Sequence, residues 1–211
     1  MKNAILDIMT ISPVIPVVVI NKPEEVMPLV TALVSGGLKV LEVTLRTEHG
    51  LDAIRTIANE IPDAIVGAGT VTKPEQADAI IDAGAKFMVS PGSTPKLIEA
   101  VLDKPIDLLP GIATPSEAMR LLEYGLEQMK FFPAEASGGR PMLKSIYGPL
   151  PQITFCPTGG ISAQSARDYL ALPNVACVGG SWMVPQTLID VGDWSAIENL
   201  AYEASSLGAS K

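Results

Sequence analysis

With 211 residues, 47% of them hydrophobic, the chain is long enough for one domain with a sizeable core, residues 1–211, and nothing requires a second. A formal net charge of -8 without any block of lysines or arginines speaks against nucleic acid or an anionic membrane as partner, while leaving room for one locally bound phosphate. The start, Met1-Lys2-Asn3-Ala4-Ile5-Leu6-Asp7, lacks the sections of a signal peptide, and the run Val14 to Ile20 is too short for a bilayer and contains Pro16, so the protein is expected in the cytoplasm.

Short apolar runs alternate with segments of helical character along the whole chain. In order they are Val14 to Ile20, Val40 to Leu45, Ala64 to Thr70, Phe87 to Ser90, Asp107 to Leu109, Met129 to Phe132, Ile153 to Pro157 and Val175 to Val178. Helix starts are expected at Thr72-Lys73-Pro74-Glu75, Thr114-Pro115-Ser116-Glu117 and Ser195-Ala196-Ile197-Glu198, each a capping box in which hydroxyl and carboxylate satisfy orphan amides. Gly37, Gly84 and Gly125 stand at left-handed helix stops that lead directly into the next strand. The strand-helix unit repeats every 26 or so residues, roughly the spacing of a compact parallel (β/α)8 barrel, a single-domain α/β fold of the TIM-barrel type. A doubly wound open sheet is the alternative.

In a barrel the strand period of two divides Leu41-Glu42-Val43-Thr44-Leu45-Arg46 into an apolar face toward the helices and an inward face of Glu42, Thr44 and Arg46. A carboxylate and a guanidinium inside a barrel are costly unless paired or used. They are either a structural ion pair or a working set, Glu42 for acid-base chemistry and Arg46 for gripping a substrate carboxylate. Lys130 lies inside the apolar run Met129-Lys130-Phe131-Phe132-Pro133. A lysine desolvated there is suited to attack a carbonyl carbon, which is Schiff-base chemistry; at a strand edge it would instead snorkel into water. Pro157-Thr158-Gly159-Gly160 follows the seventh strand and Gly179-Gly180-Ser181 the eighth, where barrels often hold phosphate on exposed backbone amides. Cys156 and Cys177 lack metal-ligand spacing and are expected as buried free thiols, and the single histidine, His49, reads as a surface or helix-start residue, a poor basis for a zinc site. Trp182 and Trp194 are expected to pack a C-terminal helix or to form a subunit contact.

Together, Leu41 to Arg46, Gly67-Ala68-Gly69-Thr70, Ser90-Pro91-Gly92, Lys130-Phe131-Phe132-Pro133-Ala134-Glu135, Cys156 to Ile161 and Gly179-Gly180-Ser181-Trp182 closely resemble the 2-keto-3-deoxy-6-phosphogluconate aldolases, also called KHG/KDPG aldolases. The resemblance covers nearly the whole chain. It implies a metal-independent class I aldolase of the Entner-Doudoroff route that needs no cofactor beyond its own lysine and assembles as a homotrimer. Carried over, it makes Lys130 the Schiff-base lysine and Glu42 the proton shuttle, with Arg46 and Thr70 on the pyruvate carboxylate. Pro91 and Phe132 would line the pocket, Thr158 would stand near the hydroxylated carbons, and Gly159, Gly160 and Ser181, beside Gly179 and Gly180, would form the phosphate end. Ser93, where many members carry a larger apolar residue, and Arg140-Pro141-Met142 depart from the pattern away from the catalytic positions.

The expected reaction is cleavage of the phosphogluconate substrate to pyruvate and glyceraldehyde 3-phosphate, with side activity on 4-hydroxy-2-oxoglutarate. The galactonate epimer would need nearly the same catalytic set, so Thr158 and Ser181 are the expected selectors. Two other classes remain open at this level: a phosphosugar isomerase or epimerase using Glu42 as base without a covalent step, and a barrel that binds a phosphometabolite without turnover.

Overall fold

The computed structural model describes residues 4–208. Helix α1 (Ala4–Ile11) precedes strand β1 (Val14–Val18), and strand and helix then alternate: α2 (Val26–Ser35), β2 (Val40–Thr44), α3 (Gly50–Glu60), β3 (Ile65–Gly69), α4 (Gln76–Asp82), β4 (Phe87–Val89) and α5 (Pro95–Leu102). The second half runs β5 (Asp107–Leu109), β6 (Gly111–Ile112), α6 (Pro115–Glu123), β7 (Gln128–Phe131), α7 (Gly139–Tyr147), β8 (Thr154–Pro157), α8 (Ala163–Leu170), β9 (Val178–Gly180), α9 (Gln186–Val191) and α10 (Trp194–Ser205).

The strands pair in parallel in the order β5-β4-β3-β2-β1-β9 and, separately, β6-β7-β8. The two sets are one curled sheet. β5 and β6 are a single strand interrupted at Pro110, which has no N–H to give, while its carbonyl accepts from the Lys130 amide at 2.9 Å. On the other side, bridges Phe155 to Val175 and Thr158 to Gly179 join β8 to β9. An open doubly wound sheet would leave two free edges; here both meet partners, and the result is the (β/α)8 barrel.

Alternation holds as the pattern requires. Leu41 and Val43 pack with helix residues such as Leu29 and Ile54 in the main apolar cluster, and Glu42 and Thr44 turn the other way into the barrel, all of them buried. Fully burying a side chain such as Leu41 contributes about 1.5–3 kcal/mol, which fixes the strand's phase and so commits Glu42 to the interior. A second cluster of Ile15, Val40, Phe87, Val89, Leu109, Cys156 and Cys177 fills the barrel, and Ile5 and Met9 of α1 join it. Both tryptophans pack against the main cluster.

Three local expectations are corrected. The last strand lies further along than the run Val175 to Val178: Val175 makes only an isolated bridge with Phe155, and β9 starts at Val178 and takes in Gly179 and Gly180, so these glycines form the strand's end rather than a turn after it. Glycine has poor strand propensity, but side chains do not fit here: a methyl on Gly179 would collide with Thr158, and one on Gly180 with the Trp182 ring. Before α4, the Gln76 carboxamide, rather than Glu75, accepts from the Thr72 and Lys73 amides at 2.8 and 2.9 Å. α10 starts at Trp194 and is capped by Asp193, whose carboxylate accepts from the Ala196 amide at 3.0 Å, leaving Ser195 inside the helix. The Thr114-Glu117 box is formed as expected, and Gly37, Gly84 and Gly125 have φ of 94°, 89° and 75°.

Candidate active site

The inward phase of β2 and β7 brings together residues 88 positions apart in sequence: Lys130 Nζ stands 3.1 Å from Glu42 Oε1 and 3.3 Å from Oε2. Both side chains are about 95% buried, with exposures of 5% and 4%. Each charge alone would bear a desolvation cost of several kcal/mol, so the partners depend on each other. Lys130 Nζ also lies 5.2 Å from the centroid of the Phe132 ring, a cation–π contact on the strand's own continuation.

The backbone around this pair is shaped to admit it. The Glu42 carboxylate lies against Gly69 at the end of β3, where a methyl group would stand 2.6 Å from Glu42 Cγ and 2.8 Å from Cδ. The next residue, Thr70, is the one non-glycine with positive φ (60°) among the described residues, a costly conformation for a β-branched side chain. Its hydroxyl accepts from Arg46 Nε at 3.2 Å, so strain at the end of β3 is coupled to the aim of the guanidinium.

Beside Arg46 is a cavity of about 220 Å³. Thr158, Gly159, Gly160, Gly179, Gly180 and Ser181 form one wall, with Val17, Val19 and Ile161 completing the lining. Thus the structure groups Arg46 with the whole expected phosphate end. Glu42 and Lys130 are buried in the barrel and do not line that cavity, and neither do Thr70, Pro91 and Phe132. Thr70 reaches it through Arg46, and Phe132 packs within 3.3 Å of where a Gly159 methyl would stand. Pro91, half-buried after β4, sets its backbone against Gly111, the residue of β6 in register with Lys130. The valines were missed in the sequence as site residues, although strand alternation places both on the inward face of β1 or its continuation; Ile161 had no such signal.

The remaining polar groups have structural partners or none. Thr44 Oγ1 is fully buried on the inward face without a hydrogen bond. Cys156 and Cys177 are buried and free, and the thiol of Cys177 is pushed well up by its hydrogen bond with Cys156 and by burial. His49 stands at the start of α3, 3.9 Å from the Glu48 carboxylate. Among the described residues no three His, Cys, Asp or Glu side chains are grouped as metal ligands, and no helix there is long and apolar enough to cross a membrane.

A buried lysine-carboxylate pair below an arginine and a glycine-rimmed cavity is a set that can form an iminium, move its protons and hold a doubly anionic substrate. The family model described as KDPG and KHG aldolase matches residues 5–200. The chain belongs to that aldolase family. The KHG/KDPG aldolase of Escherichia coli (strain K12) is 53% identical over 203 residues, covering 96% of this chain and 95% of its own. The KDPG aldolase of Legionella pneumophila, solved with pyruvate captured at low pH as a covalent carbinolamine intermediate, superposes with a TM-score of 0.95 at 48% identity, covering 98% of this chain and all (100%) of its own. The Zymomonas mobilis ZM4 aldolase, solved with 3-phosphoglycerate, gives 0.90 at 46% identity, with 96% and 95% covered. Membership of the aldolase family also accounts for the motif order along the chain, since the matched region spans every strand.

Proposed function

We propose that Lys130 of this class I aldolase attacks C2 of 2-keto-3-deoxy-6-phosphogluconate and that Glu42 carries the protons of each later step. The observation that carries this reading is the 3.1 Å pairing of Nζ with Oε1 inside the barrel. Proton transfer from the ammonium to the carboxylate frees the amine for attack, and the resulting carbinolamine loses its hydroxyl as water when Glu42 returns the proton. The iminium then takes the electron pair of the C3–C4 bond as Glu42, through a water, removes the C4 hydroxyl proton. Glyceraldehyde 3-phosphate leaves, the enamine is protonated at C3, and hydrolysis releases pyruvate and regenerates Lys130. Arg46 grips the carboxylate with its bidentate fork, held by Thr70, and Pro91 and Phe132 border the keto acid. The phosphate sits against Gly159, Gly160, Gly179, Gly180 and Ser181, with Thr158 reading the hydroxylated carbons.

The names of the relatives support the substrate, and the dual name of the Escherichia coli relative supports side activity on 4-hydroxy-2-oxoglutarate. The carbinolamine of the Legionella aldolase supports the covalent step. By the same resemblance residues 1–211 form one catalytic domain, which works without metal or added cofactor as a cytoplasmic homotrimer in the Entner-Doudoroff route. Intact mass after incubation with pyruvate and borohydride, with peptide mapping, tests the assignment. One reduced pyruvoyl unit at Lys130, absent in Lys130→Ala, is the expected result. A folded, active protein that never gains the unit overturns it.

A further inference from the structure

Glu135 belongs to the loop after β7 but touches the opposite side of the site. Its backbone amide donates to the Gly159 carbonyl at 3.1 Å, next to the bond from the Ala134 amide to the Thr158 carbonyl at 2.8 Å. Its side chain lies over Gly160, where a methyl would stand 2.9 Å from both Cβ and Cγ of Glu135. Its carboxylate accepts the hydroxyl of Tyr169 on α8 at 2.8 Å, and Tyr169 is wholly buried (0% exposed). α8 begins just after Gly159-Gly160, at Ala163, and the hydroxyl of Ser162 caps it. One side chain therefore clamps the glycine turn between the strand of Lys130 and the helix that follows the turn.

A carboxylate beside a site for a phosphate ester is electrostatically adverse, so its charge does not explain its presence. Its reach and its acceptor oxygens do. We infer that Glu135 is a positioning residue for the phosphate end of the substrate, holding the Gly159-Gly160 turn at a fixed distance from Lys130 through Tyr169. Gly160 has φ of 79° and Gly159 of 103°, so the turn has no side chains of its own to brace it, and the brace is supplied from the loop after β7. This inference rests on the proposed placement of the phosphate.

Steady-state kinetics on two substrates tests it. Glu135→Ala is expected to raise KM for 2-keto-3-deoxy-6-phosphogluconate about tenfold, the effect of losing the one side-chain hydrogen bond that ties the turn to Tyr169, with kcat little changed. KM for 4-hydroxy-2-oxoglutarate, which has no phosphate, and borohydride trapping of pyruvate should stay at wild-type levels. Glu135→Gln keeps an acceptor for Tyr169 and removes the adverse charge, so it should restore KM to the wild-type value or below. Equal losses on both substrates, an unchanged KM in Glu135→Ala, or failure of Glu135→Gln to restore it each overturns the inference. Ser181→Asp separates the two levels: if that added charge leaves KM for the phosphorylated substrate unchanged, the phosphate placement is wrong and the inference falls with it. If Ser181→Asp raises that KM and Glu135→Ala does not, only the role of Glu135 is lost.

Discussion

Gly69→Ala puts the geometry of the buried pair to a direct test. The added methyl would stand 2.6 Å from Glu42 Cγ, whereas ordinary contacts begin near 3.4 Å, so that carbon must retreat by roughly 0.8 Å. Glu42 is only 3% exposed, so it cannot move aside into solvent. Overpacking of this kind costs about 1–3 kcal/mol, or several degrees of Tm for a chain of this size. If Glu42 carries protons as proposed, the chemical effect is larger, because displacing such a group by nearly 1 Å lowers the rate about 100-fold. Steady-state kinetics with the phosphogluconate substrate, beside a thermal melt, should show kcat falling far more than Tm explains, and pyruvate trapping slowed in parallel. Gly92→Ala is the control, since a methyl there meets nothing within 4 Å, and should leave both values unchanged. A Gly69→Ala protein that melts and turns over like wild type would refute the reasoning, because the Glu42 carboxylate would then have no need of its place beside Lys130.

Two further outcomes follow from titrating groups. Burial pushes the Glu117 carboxyl up, but hydrogen bonds from the Ala113 amide and from the hydroxyl and amide of Thr114 outweigh it and, with Arg120, hold the group below its ordinary value. A carboxylate depressed in the folded state contributes stability above the unfolded value that is lost as pH falls through the folded one, so Glu117→Gln should lower Tm modestly at neutral pH, where that contribution is present, converge on the wild type at low pH, and so flatten the acid limb of a Tm-against-pH curve. An acid limb as steep as the wild type's would contradict this. The raised Cys177 thiol stays protonated at working pH, so native protein should resist a thiol reagent at this position until it unfolds. Rapid labelling of Cys177 in folded, active protein would show that the barrel interior opens.

Much of the fold and site is legible in the sequence alone. The alternation Leu41 to Arg46 gives the strand phase, because one buried apolar face leaves only one inward set. The same phase logic applies to Lys130, so that two residues distant in sequence are expected in one interior. Their 3.1 Å approach is not legible, because alternation gives the direction of a side chain but not its layer in the barrel. β9 starts three residues later and ends two residues later than the apolar run, since Gly179 and Gly180 carry no side-chain signal and are chosen for what they leave out. The starts of α4 and α10 were misread because hydroxyl-carboxylate spacing is common by chance. Gln76 takes the Thr72 amide in place of Glu75, and Asp193 caps the Ala196 amide from two residues before Ser195. Helix α1 had no cap or periodic marker long enough to predict, and its place follows only from the apolar barrel end that Ile5 and Met9 fill.

The interruption at Pro110 gives residue 130 two separable duties. A proline in the fifth stave of the barrel removes one donor from the hoop of main-chain bonds, and the amide of the lysine next door fastens to its carbonyl. The peptide group of the proposed nucleophile is thus the buckle of the belt, while its side chain is left for the proposed chemistry. Any residue but proline at 130 keeps the amide that closes the buckle, so exchanging the amine spares the main-chain bond and costs only what Glu42 loses with its partner, whereas a proline there would undo both at once.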